Sequence, residues 1–345
     1  MSEPASLTDP TPLYRLRDGL YAADLLIVVV TDLNLFTWLD ARRRAGQVTD
    51  LNDLMAAHGI DARAADVMVT YLVARGLLCR ETNGALVPTP LAIDHLVAGS
   101  PYDLRSYFGS MRERPTCTAL AEVLRTGRPM AWASALAGQQ WSDRLDSPEF
   151  AAGITAAMDA RAAYLGPALA AAIADIPADR ALDIGGGSGS YAMALAASRP
   201  SLTVDVLERP PVDQVARTLL AARGHANRIG VITGDMFDIL PSGYDLHLYS
   251  HVLHDWGADQ VRELVARSAA ALPPGGWLVI HDTHIDEDRS GPLPIAEYSV
   301  LLMASTLGKC WSLGELREFL ATAGFTIEAC RSTGADRTVV VARRA

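Results

Sequence analysis

Hydrophobic positions along this chain follow two regimes. Between Leu13 and Leu39 they recur at helical spacing, at Leu20, Leu25, Leu26, Val29, Val30, Leu33, Leu35, Phe36 and Leu39, which predicts two consecutive helices with a wide apolar face. From Arg180 onward, apolar runs of strand length alternate with helical segments, the order that a parallel sheet requires. Strands are predicted at 180–184, 202–207, 229–233, 246–250 and 277–280, with helices at 191–197, 212–222, 259–271 and 313–323. Two final runs, 325–331 and 337–342, are joined by Gly334-Ala335-Asp336 and predict a closing antiparallel hairpin.

The stretch between these regimes divides further. Thr49 and Asp50 are placed to cap a helix from Leu51 to His58, Gly59 to end it, and Asp61 to cap the next helix through Arg75. Thr82-Asn83-Gly84 then forms the turn of a hairpin. This is the outline of a winged helix, which serves either a transcription regulator or a dimerisation scaffold. Residues 1–110 carry nine arginines and no lysine against thirteen Asp and Glu, whereas a DNA reader needs a basic face. The scaffold reading follows, and the wide apolar face before it predicts a homodimer formed through this N-terminal region.

Residues 1–12 are polar and read as a mobile arm. Residues 91–150 are irregularly helical, and their aromatics (Tyr102, Tyr107, Phe108, Trp132, Trp141, Phe150) serve the core or a substrate wall. In the alanine-rich segment that follows, Phe150, Ile154 and Met158 lie four apart on one helix face, which either closes over a planar substrate or is core. Three spans result: 1–110 helical and winged-helix, 111–176 a substrate-lining linker, and 177–345 a catalytic α/β domain.

Composition narrows the partners. A formal net charge of −10 argues against nucleic acid and against an anionic membrane surface. Four widely spaced cysteines, Cys79, Cys117, Cys310 and Cys330, show no metal-type spacing and suit a reducing cytoplasm. The start of the chain has no secretory pattern, and the longest apolar runs are too short to span a bilayer.

The chemistry is concentrated at Ala181-Leu-Asp-Ile-Gly-Gly-Gly-Ser-Gly-Ser-Tyr191, a strand that runs through a glycine turn into a helix. Gly185, Gly187 and Gly189 lack Cβ, so a ligand can approach the backbone closely. A dinucleotide fingerprint has its third glycine where this chain has Ser190. Asp183, just before the turn, repels a pyrophosphate and suits a ligand with a cationic end. S-adenosylmethionine has a sulfonium, an ammonium and a ribose diol. Glu208, about 20 residues beyond the turn at a strand end, has the position of a hydroxyl-binding acid.

The ordered set Asp183-Ile-Gly-Gly-Gly-Ser-Gly, Gly234-Asp-Met-Phe, His251-Val-Leu-His-Asp-Trp and Pro274-Gly-Gly resembles the S-adenosylmethionine-dependent small-molecule O-methyltransferases. The subgroup is the bacterial natural-product enzymes related to hydroxyindole and caffeate methyltransferases, and the resemblance covers nearly the whole chain. It implies a Rossmann-like, mostly parallel seven-stranded sheet with helices on both faces, preceded by a winged-helix dimerisation domain. It also implies that Gly185, Gly187 and Gly189 hold the methionine part and Glu208 the ribose, while Asp235 and Met236, with Phe237 and Ser250 beside them, address the rest of the cofactor. His254 matches the general base and Asp282 one of two acids flanking it. Asp255 is a further candidate acid, and His251, Trp256, Phe150, Met158 and Cys310 are candidates to line the substrate. The resemblance further implies a small phenolic substrate from secondary metabolism and S-adenosylhomocysteine as the second product.

The chemistry supports these roles independently. A phenol with pKa near ~10 is mostly neutral at pH 7, and a histidine oriented by a carboxylate can take its proton as the methyl group transfers in line. One departure stands out: where plant members carry the second flanking acid, this chain has Gly308-Lys309-Cys310. Either Asp282 or Asp255 then suffices, or the acceptor is a ring carbon of an electron-rich phenol, aniline or aromatic amino acid. Two rivals differ in class: a protein of this fold that catalyses another reaction, and a winged-helix regulator. Two H-x-x-H runs, His251/His254 and His281/His284, either converge on a metal or supply a pocket wall and hydrogen-bonded strand ends. The latter is expected, with no metal.

Overall fold

The structure is a computed structural model that describes residues 8–130 and 144–345. Trp132, Trp141 and most of the predicted arm lie outside the described residues. The first helix already begins at Thr11, inside the span expected to be an arm.

The chain forms two compact units, one of residues 1–130 with 285–310 and the other of 131–284 with 311–345. The first is helical. Its opening segment holds three helices rather than two: α1 (Thr11–Asp18), α2 (Ala22–Thr31) and α3 (Leu35–Arg44). Gly19 closes α1 and Asn34, at φ +47°, precedes α3, so each break sits at a residue tolerant of non-helical backbone. Next come α4 (Leu51–His58), with a capping box between Asp50 and Asp53, and α5 (Ala62–Ala74), capped by Asp61. Strands β1 (Leu78–Arg80) and β2 (Leu86–Pro88) pair antiparallel, and α6 (Pro90–Leu96), α7 (Arg105–Gly109) and α8 (Pro115–Thr126) follow.

A helix absent from the sequence expectation, Leu293–Ser305, completes this unit. Ten of its thirteen residues are buried, so it has no polar face to reveal its period, and it packs on α5. That packing is why 285–310 joins the helical unit, although the sequence divides the chain into continuous spans. Nearby, Asp66 of α5 receives Lys309 Nζ and Arg289 Nη1, both at 2.5 Å. No single helix among the described residues is long and apolar enough to cross a membrane. A stretch from α1 to α3 passes that test only as a pair bent by 49°, and α2 within it is mostly buried.

The second unit is built on a seven-stranded sheet of order β5-β4-β3-β6-β7-β9-β8. Five strands are parallel: β3 (Arg180–Ile184), β4 (Thr203–Glu208), β5 (Ile229–Thr233), β6 (Leu246–Ser250) and β7 (Trp277–Asp282). β8 (Phe325–Gly334) and β9 (Arg337–Arg344) form the antiparallel closing hairpin. β7 runs two residues past its expected end, so His281 and Asp282 belong to the strand. The order reverses between β3 and β6, and it is outside the carboxyl ends at such a point that open α/β sheets hold ligands. The core beneath is contributed by Leu182, Ile184, Tyr249, Leu278, Ile280 and Val340.

Candidate active site

At the end of β3 the chain turns through Gly185, Gly187 and Gly189, with φ of +66°, +56° and +78°. These are left-handed values that favour glycine at each position. Gly186, which the sequence reading passed over, is constrained by approach instead: a Cβ there lies 2.6 Å from the Asp183 carboxyl carbon. Asp183 is fully buried, and among the described residues neither of its oxygens makes a well-aligned hydrogen bond. Burial raises its pKa to about 7, helped by the charge of Glu208 and tempered by the Ala192 amide. A buried carboxylate short of donors is incomplete without a cationic partner, so the site fits a ligand bearing ammonium or sulfonium.

Glu208 ends β4 with Oε1 accepting the Gly187 N–H and Oε2 the Arg209 N–H, each at 3.0 Å. Its carboxylate is thereby fixed beside the glycine turn, with lone pairs remaining for a diol. Met236 Sδ lies near Gly185, and Phe237 packs edge-on against Trp256 with ring centroids 4.8 Å apart. Asp235 is exposed, and its Oδ1 accepts the Phe237 N–H at 2.9 Å. The turn is also tied to the long helix Pro148–Ala172. Asp159 on that helix accepts Ser190 Oγ and both terminal nitrogens of Arg223, and these contacts hold its carboxyl far below the usual range. The sequence reading did not find this tie, because it joins residues more than thirty positions apart. Phe150, Ile154 and Met158 on the same helix are half-buried.

The second cluster lies at the ends of β6 and β7. A short turn, Leu253–Asp255, follows β6 and carries His254, and the Trp311 indole N–H steadies it by donating to the Leu253 carbonyl at 3.0 Å. His254 Nδ1–H donates to Asp282 Oδ1 at 2.5 Å, and Asp282 also accepts the Thr283 N–H at 2.8 Å. Burial works to lower the His254 pKa, but the Asp282 and Asp255 carboxylates outweigh it and hold the imidazole above its ordinary value. Asp255 stands 3.7 Å from Nε2, and burial raises its own pKa to about 6. The structure therefore places Asp282, not Asp255, in hydrogen-bond contact with the histidine. Cys310 is buried in the helical unit, where its N–H donates to Ser299 Oγ at 3.2 Å.

The remaining histidines differ among themselves. His281 hydrogen-bonds Ser250 Oγ at 2.9 Å and Thr333 Oγ1 at 3.0 Å, which gives Ser250 a partner in the sheet. His284 was expected to be hydrogen-bonded in the same way, but neither of its ring nitrogens makes a hydrogen bond among the described residues, and burial lowers its pKa to about 4. His251 is buried in left-handed backbone at φ +57°. Ligand-type atoms of His251, His254 and Asp282 fall within 4.8 Å of one another, a metal-compatible grouping in which His254 Nδ1 is already engaged by Asp282.

Comparison with known proteins identifies the family. The O-methyltransferase domain model matches residues 117–326. The 3-hydroxy-5-methyl-1-naphthoate 3-O-methyltransferase of Streptomyces sahachiroi is 30% identical over 328 residues, 93% of this chain and 91% of that enzyme. The crystal structure of an O-methyltransferase family 2 protein from Planctomyces limnophilus in complex with apigenin aligns with a TM-score of 0.85 at 31% identity, covering 99% of this chain and 97% of that one. PigF, solved with SAH, aligns at a TM-score of 0.59 and 25% identity over 98% of this chain and 100% of its own. The chain belongs to the O-methyltransferase family and is an S-adenosylmethionine-dependent methyltransferase.

Proposed function

We propose that the enzyme methylates a phenolic hydroxyl of a small aromatic natural product, with His254 as general base. The carrying observation is the buried His254–Asp282 pair at 2.5 Å, at the strand ends of the sheet whose glycine turn presents Asp183. Bound S-adenosylmethionine supplies a methyl group activated by its sulfonium. Asp183 faces the cationic methionine end, Gly185, Gly187 and Gly189 admit it to the backbone, and Glu208 accepts the ribose hydroxyls. With Nδ1 committed to Asp282, Nε2 of His254 would take the proton of the acceptor hydroxyl, while the cofactor would give its methyl group to that oxygen and leave as S-adenosylhomocysteine. Asp282 fixes the tautomer and stabilises the imidazolium that results, and general-base catalysis by such a histidine contributes roughly 10²- to 10⁴-fold. Met236, Phe237 and Trp256 form the apolar wall beside the cofactor, and Phe150 and Met158 the face that a planar acceptor meets. The hydroxynaphthoate in one relative's name and the apigenin in complex with another support an aromatic acceptor here.

The α4–α5 pair with the β1–β2 hairpin is read as a winged helix used for homodimerisation. Leu13, Leu16 and Leu20 of the N-terminal segment, each more than 60% exposed, support a second copy of this chain as the partner. Four free cysteines, two of them exposed, suit a cytoplasmic enzyme.

The test is a mass-spectrometric screen of catechols, hydroxynaphthoates, hydroxyindoles and flavonoids with S-adenosylmethionine, run beside His254→Ala. A product heavier by one methyl, abolished in the variant, supports the reading, and fragmentation assigns oxygen or carbon. Equal turnover by the variant overturns His254 as base.

A further inference from the structure

His251 has no part in the proton transfer described above, yet it occupies the most constrained position near it. It follows β6 directly, and its backbone N–H extends the pairing of β6 with β7 by donating to the His281 carbonyl at 2.9 Å. Its φ of +57° is uncommon for a residue with a side chain, and backbone strain of this kind concentrates at functional sites. The effect is to turn the imidazole to the side of the sheet end where His254 and Asp282 stand. Its Nδ1 is 3.5 Å from the same Asp282 oxygen that His254 binds, and its ring centroid is 5.6 Å from that of His254. The Tyr191 ring stacks on it at 6.3 Å and the His281 ring meets it edge-on at 5.3 Å.

Among the described residues neither ring nitrogen makes a hydrogen bond, although the residue is only 7% exposed. A buried polar group without a partner is destabilising unless something else supplies one. Burial, with Arg161, His281, Arg337 and His254 around it, keeps the ring neutral, so it carries one N–H donor and one acceptor nitrogen. Two imidazoles thus stand side by side against one carboxylate oxygen. An aromatic ring with oxygens on adjacent carbons can present one oxygen to each.

We propose that His251 is a substrate-positioning residue that hydrogen-bonds an oxygen substituent ortho to the hydroxyl methylated at His254, and so selects ortho-oxygenated aromatics over simple phenols. This rests on the reading of His254 as base but is separately measurable. A site built to hydrogen-bond a substrate oxygen discriminates against the analogue lacking it, because its own polar group is then left unpaired.

The experiment compares 2,3-dihydroxynaphthalene with 2-naphthol in wild type, His251→Phe and His251→Asn. Titration of each probe into the S-adenosylhomocysteine complex gives binding, and methyl transfer gives kcat and KM. Wild type should favour the dihydroxy probe by roughly tenfold or more in binding and in kcat/KM, the worth of one hydrogen bond. In His251→Phe the two probes should converge, mainly through KM, with S-adenosylhomocysteine affinity unchanged. His251→Asn, which can still donate, should restore part of the preference. A preference that survives His251→Phe, an equal loss on both probes, or no binding of either probe by wild type overturns the proposal. If the binding preference follows His251 but no methyl is transferred, it is the base assignment that fails.

Discussion

Replacing Asp282 by Asn gives the sharpest test of the catalytic geometry, because the change is nearly isosteric and touches one bond. In the wild type, Nδ1–H of His254 donates at 2.5 Å to a carboxylate buried at the end of β7, and the Thr283 N–H holds that carboxylate from the other side. A hydrogen bond to a charged group contributes about 1.5–3 kcal/mol. If that contribution is realised as the imidazolium forms, its loss corresponds to a fall of roughly 10- to 150-fold in kcat/KM. The pH dependence carries an independent sign. In the proposed role His254 acts as a base only when neutral, so the rate should rise with pH through its pKa. The Asp282 carboxylate is the leading influence that raises that pKa. Removing it should move the acidic limb to lower pH while the plateau drops. The assay is steady-state methyl transfer from about pH 5 to 9, with S-adenosylhomocysteine binding and a thermal melt as controls for the fold. An unchanged plateau, or an acidic limb displaced upward, would refute the pairing as the source of basicity.

Three further outcomes follow from the cofactor cradle and the helical unit. Asp183 has its pKa raised from 3.8 to about 7, so its contribution to ligand-free stability is fully present below pH 4 and is lost as pH rises through 7, by at most about 4 kcal/mol. Melting of the ligand-free enzyme should show this decline, and both S-adenosylmethionine and Asp183→Asn should flatten it; a decline unaffected by either would remove Asp183 from the account. Gly186→Ala drives a Cβ against the Asp183 carboxyl and should weaken S-adenosylhomocysteine binding by roughly tenfold or more in calorimetry while leaving the helical unit folded; wild-type affinity would show that the turn yields freely. For the proposed homodimer, the wild type should scatter light as a dimer and Leu16→Glu, at a position 74% exposed, as a monomer; equal masses for the two would overturn the proposed interface.

The strands that carry the site were legible because each is a short apolar run that ends in polar residues, and the same punctuation exposed Asp183, Glu208 and His254. Other features were invisible for physical reasons. The helix Leu293–Ser305 is buried nearly all round, so its apolar positions lack the polar face that would mark a helical period. The break after α1 turns on Gly19 and a bend at Tyr21, neither of which interrupts the apolar recurrence. Asp282 was identified by resemblance, since register across the sheet, not spacing along the chain, brings it to His254. The exclusion of a Cβ at Gly186 and the unpaired nitrogens of His251 are properties of packed space. A sequence names those residues without saying what surrounds them.

The ion pair between Lys309 and Asp66 has an experimental consequence outside catalysis. Lys309 is the chain's one lysine, and its ammonium is buried against α5. Acylating reagents directed at side-chain amines therefore find no target on the folded surface and can modify Lys309 only when the helical unit opens. The rate of acylation at that residue becomes a chemical clock for the opening of that one unit. It can be read by peptide mapping without an introduced probe, in the presence and absence of cofactor.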